Sequence, residues 1–218
     1  MGLVDYSKQK EQEQKHALLS PSKSHSWKDY DNESLLRMIK SNYAAEIGTI
    51  IHAYAADRIT HGFKLAKGEK KEIIFELLRA KIPPMAVDML DANFIFENLM
   101  NYVNDAIGFQ MEPEVEVRYS EWCFGTADAL KFYEKNKLLR VHDLKTGVLP
   151  AHMEQLVTYA SLYCLQHRIK VVDIEVECRL YQAGKIIQYF PTSAEVLEMM
   201  NIIIEKSNFV ERINSGRL

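Results

Sequence analysis

Two aspartates and a lysine between Gly125 and Tyr159 stand where divalent-metal chemistry on a phosphodiester would need them. Gly125 to Tyr133 and Lys137 to Asp143 read as adjacent strands, separated by Glu134-Lys135-Asn136. With Lys135-Asn136 as a two-residue hairpin loop, Glu134 pairs with Lys137 and Asp128 falls directly opposite Asp143. Opposed side chains share one face a few ångströms apart, and two like charges there repel unless a cation lies between them. Lys145 returns to the same face if the strand continues. Carboxylate oxygens suit Mg²⁺ or Mn²⁺. Such a cation activates water and offsets charge building on a phosphoryl group, and the Lys145 amine could orient the attacking hydroxide. Taken alone, Asp143-Leu144-Lys145 equally describes a strand end with solvated side chains. Asp128 equally describes an acid that protects a sheet edge from pairing. A three-residue turn would shift the register by one and weaken the opposition.

Other side chains could join them. His52 follows Gly48 by one helical turn, beside the apolar Ile51/Ala55 stripe, where a histidine is commonly a satisfied core residue. Glu46 is a further acidic candidate. Glu114 and Glu116 share a strand face with Arg118, and pairing of that strand with the hairpin could deliver either acid to a metal. Gln155 and Tyr159, four apart on a helix, project from one face and can hydrogen-bond phosphate oxygens or water.

The elements that must position these residues follow from periodicity. A polar arm covers residues 1–19, and Ser22 caps a short helix carrying Trp27. Helices are expected over Asn42 to Thr60, Lys70 to Ala80 and, opened by Pro83-Pro84, Met85 to Ile107. Alternation then predicts strands from Glu114 to Arg118 and through the two hairpin arms. Pro150 begins a helix to His167. Val171 to Tyr181 and Ile186 to Phe190 are strands about a turn at 182–185, and Thr192 or Ser193 caps a last helix to Glu211. Helices, three strands, a helix, two strands and a helix predict one α+β domain over 20–218.

Composition narrows the function classes. The chain has 218 residues, 47% hydrophobic and 26% charged, as in an ordinary globular protein. No apolar run approaches the roughly 20 residues of a membrane span, and the N-terminus lacks a signal-like apolar segment. The expected location is therefore the cytoplasm. Three widely spaced cysteines, Cys123, Cys164 and Cys178, argue against a disulfide framework. A net charge of −3 argues against a protein that coats nucleic acid, but not against an enzyme with a local basic groove.

The ordered set resembles the RecB-type branch of the PD-(D/E)XK nuclease superfamily. That branch carries a GxxxH helix, a GxxD strand, a D/E-x-K strand and a QxxxY helix. Here they are Gly48 to His52, Gly125 to Asp128, Asp143 to Lys145 and Gln155 to Tyr159. Leu19-Ser20-Pro21-Ser22 is similar to the opening of many members, so the likeness runs from about residue 20 to at least 165. It implies a restriction-endonuclease-like core: a central mixed sheet flanked by helices, after an N-terminal helical region. It further implies Mg²⁺ or Mn²⁺ held by His52, Asp128, Asp143 and the Leu144 carbonyl, with Glu114 or Glu116 as a further candidate ligand. Lys145 would position the nucleophile, and Gln155, Tyr159 and Gly48 would contact the DNA backbone. Some relatives hold an iron–sulfur cluster with one cysteine near the N-terminus and three near the C-terminus. This chain has none before Cys123 or after Cys178, so no cluster is expected. The implied activity is deoxyribonuclease action, foremost an exonuclease leaving 5′-phosphates in recombination, repair or replication, in a bacterial or phage-infected cell. Single-stranded DNA or a DNA end is the implied substrate, and a separate helicase or recombination protein the implied partner. A structure-specific endonuclease and a non-catalytic DNA-binding module are the alternatives. Lys23, Lys28, Arg37 and Lys40 could line a DNA path.

Overall fold

The computed structural model describes residues 21, 28–88, 92–147 and 152–217. The arm over 1–19, the helix around Trp27 with its Ser22 cap, and Lys23 lie outside them. The chain gathers into two compact units. The first takes residues 1–51 and 67–92, the second 52–66 and 93–218.

In the first unit, helix α1 (Asn32–His61, continuing from residue 52 into the second unit) starts ten residues before the expected Asn42. Its start is set by Asp31, whose carboxylate accepts the Ser34 N–H at 2.8 Å as an N-cap. In its first turns Arg37 is engaged with Glu33 at 3.7 Å. Helix α2 (Lys70–Arg79) buries Ile73 and Leu77 and stops where Lys81 turns left-handed at φ 63°. Helix α3 (Pro84–Asp88) opens at the proline as expected, and of the helix expected to Ile107 residues 89–91 lie outside the described ones.

In the second unit, helix α4 (Ala92–Gly108) buries Leu99, Val103 and Ala106 completely, at the three-to-four spacing of one helix face. The Asn104 side chain holds the Leu65 backbone by both ends, at 2.8 and 2.9 Å. The sheet runs β1 (Glu112–Ser120), β2 (Cys123–Tyr133), β3 (Leu138–Leu144), β4 (Glu175–Gln182), β5 (Lys185–Tyr189), in that spatial order. All neighbours are antiparallel except β3 and β4, which are parallel and joined through helix α5 (Glu154–His167). A parallel pair needs such a crossover. Helix α6 (Ser193–Asn214) closes the chain behind a Thr192/Glu195 capping box. The α+β expectation, a central mixed sheet flanked by helices, therefore holds.

Two local expectations are corrected. The β2–β3 loop has four residues rather than two, with Tyr133 and Leu138 the last pair. A two-residue primed turn needs a left-handed residue at its first position, which Lys135 does not favour. The chain instead makes a turn with Asn136 N–H on the Tyr133 carbonyl, and Lys137 takes φ 53°. Opening the Glu134/Lys137 pair costs nothing in register: Ala129 still opposes His142, which carries Asp128 toward Asp143. The strand expected from Val171 begins only at Glu175, because Val171–Asp173 forms a 3₁₀ turn.

The sheet's two faces differ. One is apolar, with Val117, Leu139, Val141 and Cys178 in one core with Leu156, Ala160 and Cys164 of α5 and Val196 of α6. The other holds a buried polar network. Tyr181 donates to Asp105 at 2.8 Å and meets His142 Nδ1 at 3.2 Å, while Arg179 pairs with Asp105 and Glu177. Burial, helped by Arg179 and Arg140, holds His142 well below the ordinary imidazole range. No helix among the described residues is long and apolar enough to cross a membrane.

Candidate metal centre

Three elements far apart in sequence meet at Asp128. Helix α1 brings His52, whose Nδ1 lies 3.3 Å from Asp128 Oδ1. Strand β3 brings the Leu144 N–H, which donates to Asp128 Oδ2 at 2.8 Å. Strand β1 brings Glu114, and ligand atoms of His52, Glu114 and Asp128 all lie within 4.8 Å of one another. A strand residue's N–H and C=O leave on the same side, so strand geometry directs the Leu144 carbonyl toward β2 as well.

Of the acids left open by the sequence, Glu114 joins this group. Glu116 turns to Arg118 at 3.0 Å, and Glu46 is not one of the three residues whose ligand atoms lie within 4.8 Å of one another. Glu114 sits at φ 52°, a left-handed backbone inside a strand. For a residue other than glycine this costs on the order of 1–3 kcal/mol and is held only by its surroundings. Alternation alone treats Glu114 and Glu116 alike; the left-handed residue breaks that equivalence.

Asp143 is not one of the three, though it is 2% exposed and close enough to act on them. Its Oδ1 accepts from Lys145 Nζ at 3.0 Å. Oδ2, at 2.9 Å from the same nitrogen, is badly angled and has no hydrogen-bond partner among the described residues. Lys145 also donates to Gln155 Oε1 at 2.9 Å, and Gln155 Nε2 donates to the Tyr159 hydroxyl at 3.3 Å. The four motifs are thus linked: His52 to Asp128, Asp128 to the Asp143–Lys145 strand end, and Lys145 through Gln155 to Tyr159. Gly125 closes the set, since a Cβ there would stand 3.1 Å from Tyr159 Cε1. Gly125→Ala is expected to push the Tyr159 ring aside, strain its bond to Gln155 and destabilise the fold by about 1 kcal/mol. Denaturant unfolding measures it; an unchanged midpoint would show that the ring yields freely.

The electrostatics are those of crowded carboxylates. Burial and then the Asp128 charge raise Asp143 above the ordinary carboxylate range, against the opposing pull of Lys145 and His52. Burial and Asp128 likewise raise Glu114. Burial disfavours the His52 imidazolium, but its bond to Asp128 and the charges of Asp128, Asp143 and Glu114 outweigh this and raise it. Such a cluster favours an added cation.

Sequence reasoning missed Tyr102, 2% exposed on α4, whose phenol burial and then the charges of Asp128, Glu114 and Asp143 hold well above its ordinary value. It also missed Asn98. Both look like core positions of an apolar helix, and no local signal marks them. Gly48 is half-buried on α1 in the first unit, with Lys28, Arg37 and Lys40 exposed there. Cys164 and Cys178 are buried thiols pushed up to about 12 by burial.

The donor set fits a divalent cation: oxygen ligands, an imidazole and a buried carboxylate oxygen without a hydrogen-bond partner among the described residues. Residues 16–183 match the model of a protein family described as "Protein of unknown function (DUF2800)". No curated protein matches the chain.

Proposed function

The chain belongs to the DUF2800 family, and from its site we propose that it is a Mg²⁺- or Mn²⁺-dependent deoxyribonuclease of the PD-(D/E)XK type, acting as an exonuclease on a DNA end. The observation that carries the reading is the Lys145 ammonium, held between buried Asp143 and Gln155 beside the His52/Glu114/Asp128 group. His52, Asp128, Glu114 and Asp143 would hold the cation, with the Leu144 carbonyl directed to the same side. Bound there, a divalent cation supplies Lewis acidity and a lowered pKa for water.

The chain's own residues do the rest. Asp143 and Gln155 take two of the three N–H donors of Lys145 and so aim the third. That ammonium can steady an attacking hydroxide and offset the charge growing on the phosphoryl oxygens. The Tyr159 hydroxyl fixes the Gln155 amide from behind, and the bare Gly125 backbone leaves room for that ring. The Leu144 N–H orients Asp128 through Oδ2, leaving Oδ1 toward His52. The product would carry a 5′-phosphate, and recombination, repair or replication is the setting proposed for it.

Linear and covalently closed circular single-stranded DNA, each with Mg²⁺, Mn²⁺ or EDTA, test the reading. Metal-dependent loss of the linear strand alone is expected. Cutting of the circle would replace the exonuclease with an endonuclease on the same site. Binding with no cleavage in either metal would leave a DNA-binding module and overturn the enzymatic reading.

A further inference from the structure

Lys145 lies one residue beyond the end of β3. Two hydrogen bonds hold its backbone. The Lys145 N–H donates to the Tyr181 carbonyl at 2.9 Å, continuing the β3–β4 pairing by one step. The Lys145 carbonyl accepts from Asn98 Nδ2 at 3.3 Å. Asn98 projects from α4, is 3% exposed, and its Oδ1 accepts the Gly184 N–H at 2.7 Å. One amide thus ties the lysine's peptide to the β4–β5 turn, where Ala183 and Gly184 both have positive φ, at 51° and 70°. Just before that turn, Gln182 Nε2 reaches the Gly147 carbonyl at 3.0 Å, so the same region holds the segment leaving Lys145 at a second point.

This arrangement answers a mechanical need. A lysine carries its charge on a stem of four carbons with many rotamers, and its ammonium is only as well placed as its Cα. A buried amide that uses its donor and its acceptor on two different backbone segments is satisfied only when both hold their positions. We propose that Asn98 is a positioning residue that sets the Lys145 backbone, and through it the ammonium between Asp143 and Gln155. Asn98 makes no contact with the reacting atoms in this scheme. The proposal rests on the nuclease reading for its kinetic consequence and on the two Asn98 bonds for its geometry.

Asn98→Asp separates the two bonds. The near-isosteric carboxylate still accepts from Gly184 but loses the donor, and sets negative charge against the Lys145 carbonyl. Asn98→Gln keeps donor and acceptor on a longer stem and serves as the conservative variant. The experiment measures single-turnover cleavage of linear single-stranded DNA with Mg²⁺, DNA affinity with Ca²⁺, and the melting temperature, for wild type and both variants. The expected result is a rate at least tenfold lower in Asn98→Asp, partly recovered in Asn98→Gln, with DNA affinity within twofold of wild type in both. A wild-type rate in Asn98→Asp would overturn the proposal. So would a rate loss accompanied by an equal loss of DNA affinity, because that is a general structural defect. Should Asn98→Asp fail to fold, Asn98→Gln decides: a lowered rate at unchanged affinity supports the role, and an unchanged rate overturns it. Absence of cleavage by the wild type is a different failure, that of the nuclease reading itself, and removes the proposal with it.

Discussion

Lys145→Ala is expected to lower the single-turnover cleavage rate by about 10²–10³-fold, with DNA affinity in Ca²⁺ little changed. The ammonium pairs with Asp143 and is aimed by Gln155. An interaction made mainly in the transition state shows in rate rather than binding. The same substitution takes from the Asp143 carboxylate, already short of a partner on Oδ2, the charge that faces it. A loss of about 1–3 kcal/mol in unfolding free energy should follow, smaller when Mn²⁺ is present. Lys145→Arg restores charge but not geometry, so it should recover stability before activity. Cleavage by Lys145→Ala at the wild-type rate would remove this lysine from the mechanism.

The metal-free protein should lose stability with rising pH where the metal-bound one does not. Asp143 and Glu114 are raised from ordinary values of 3.8 and 4.5, and His52 from 6.5. Each folded group therefore holds its proton more tightly than the unfolded chain does. Its contribution is fully present below the unfolded pKa and lost as pH rises through the folded one. Divalent ions compete with those protons, so Mn²⁺ should stabilise more as pH rises. At a hundredfold excess over Kd the gain is about 2.7 kcal/mol, or roughly 5–10 °C in Tm for a chain of this size. Asp128→Asn removes the charge that acts on all three groups. It should flatten the pH slope relative to wild type and weaken Mn²⁺ binding at least about tenfold. Melting curves across pH 4.5–8, with and without Mn²⁺, compare the two proteins. Parallel slopes and equal Mn²⁺ shifts in both would show that these groups do not form a metal site.

Much of this arrangement is legible in the chain because strand pairing converts sequence distance into spatial distance by simple counting. The hairpin loop is longer than the expected two residues, yet Asp128 still runs toward Asp143, because opening one pair at a hairpin end shifts both strands equally. Gln155 and Tyr159 follow from helical spacing, and their hydrogen bond is a local one. His52 is different. Its helix can be read, but nothing in an apolar stripe says which face meets a strand 76 residues later.

Residue order and local periodicity by themselves determined the strands, the main helices and the carboxylate–lysine grouping, since each depends on neighbours within one hairpin or one helical turn. Only the tertiary structure decided between Glu114 and Glu116, where a left-handed residue turns one acid toward Asp128 while Arg118 takes the other. It alone brought in Tyr102, a buried phenol on α4 that feels the charges of Asp128, Glu114 and Asp143, and Asn98, whose amide reaches two other segments. The reason is physical. A buried polar group is defined by the partner that satisfies it, and that partner is set by packing between elements rather than by any pattern within one.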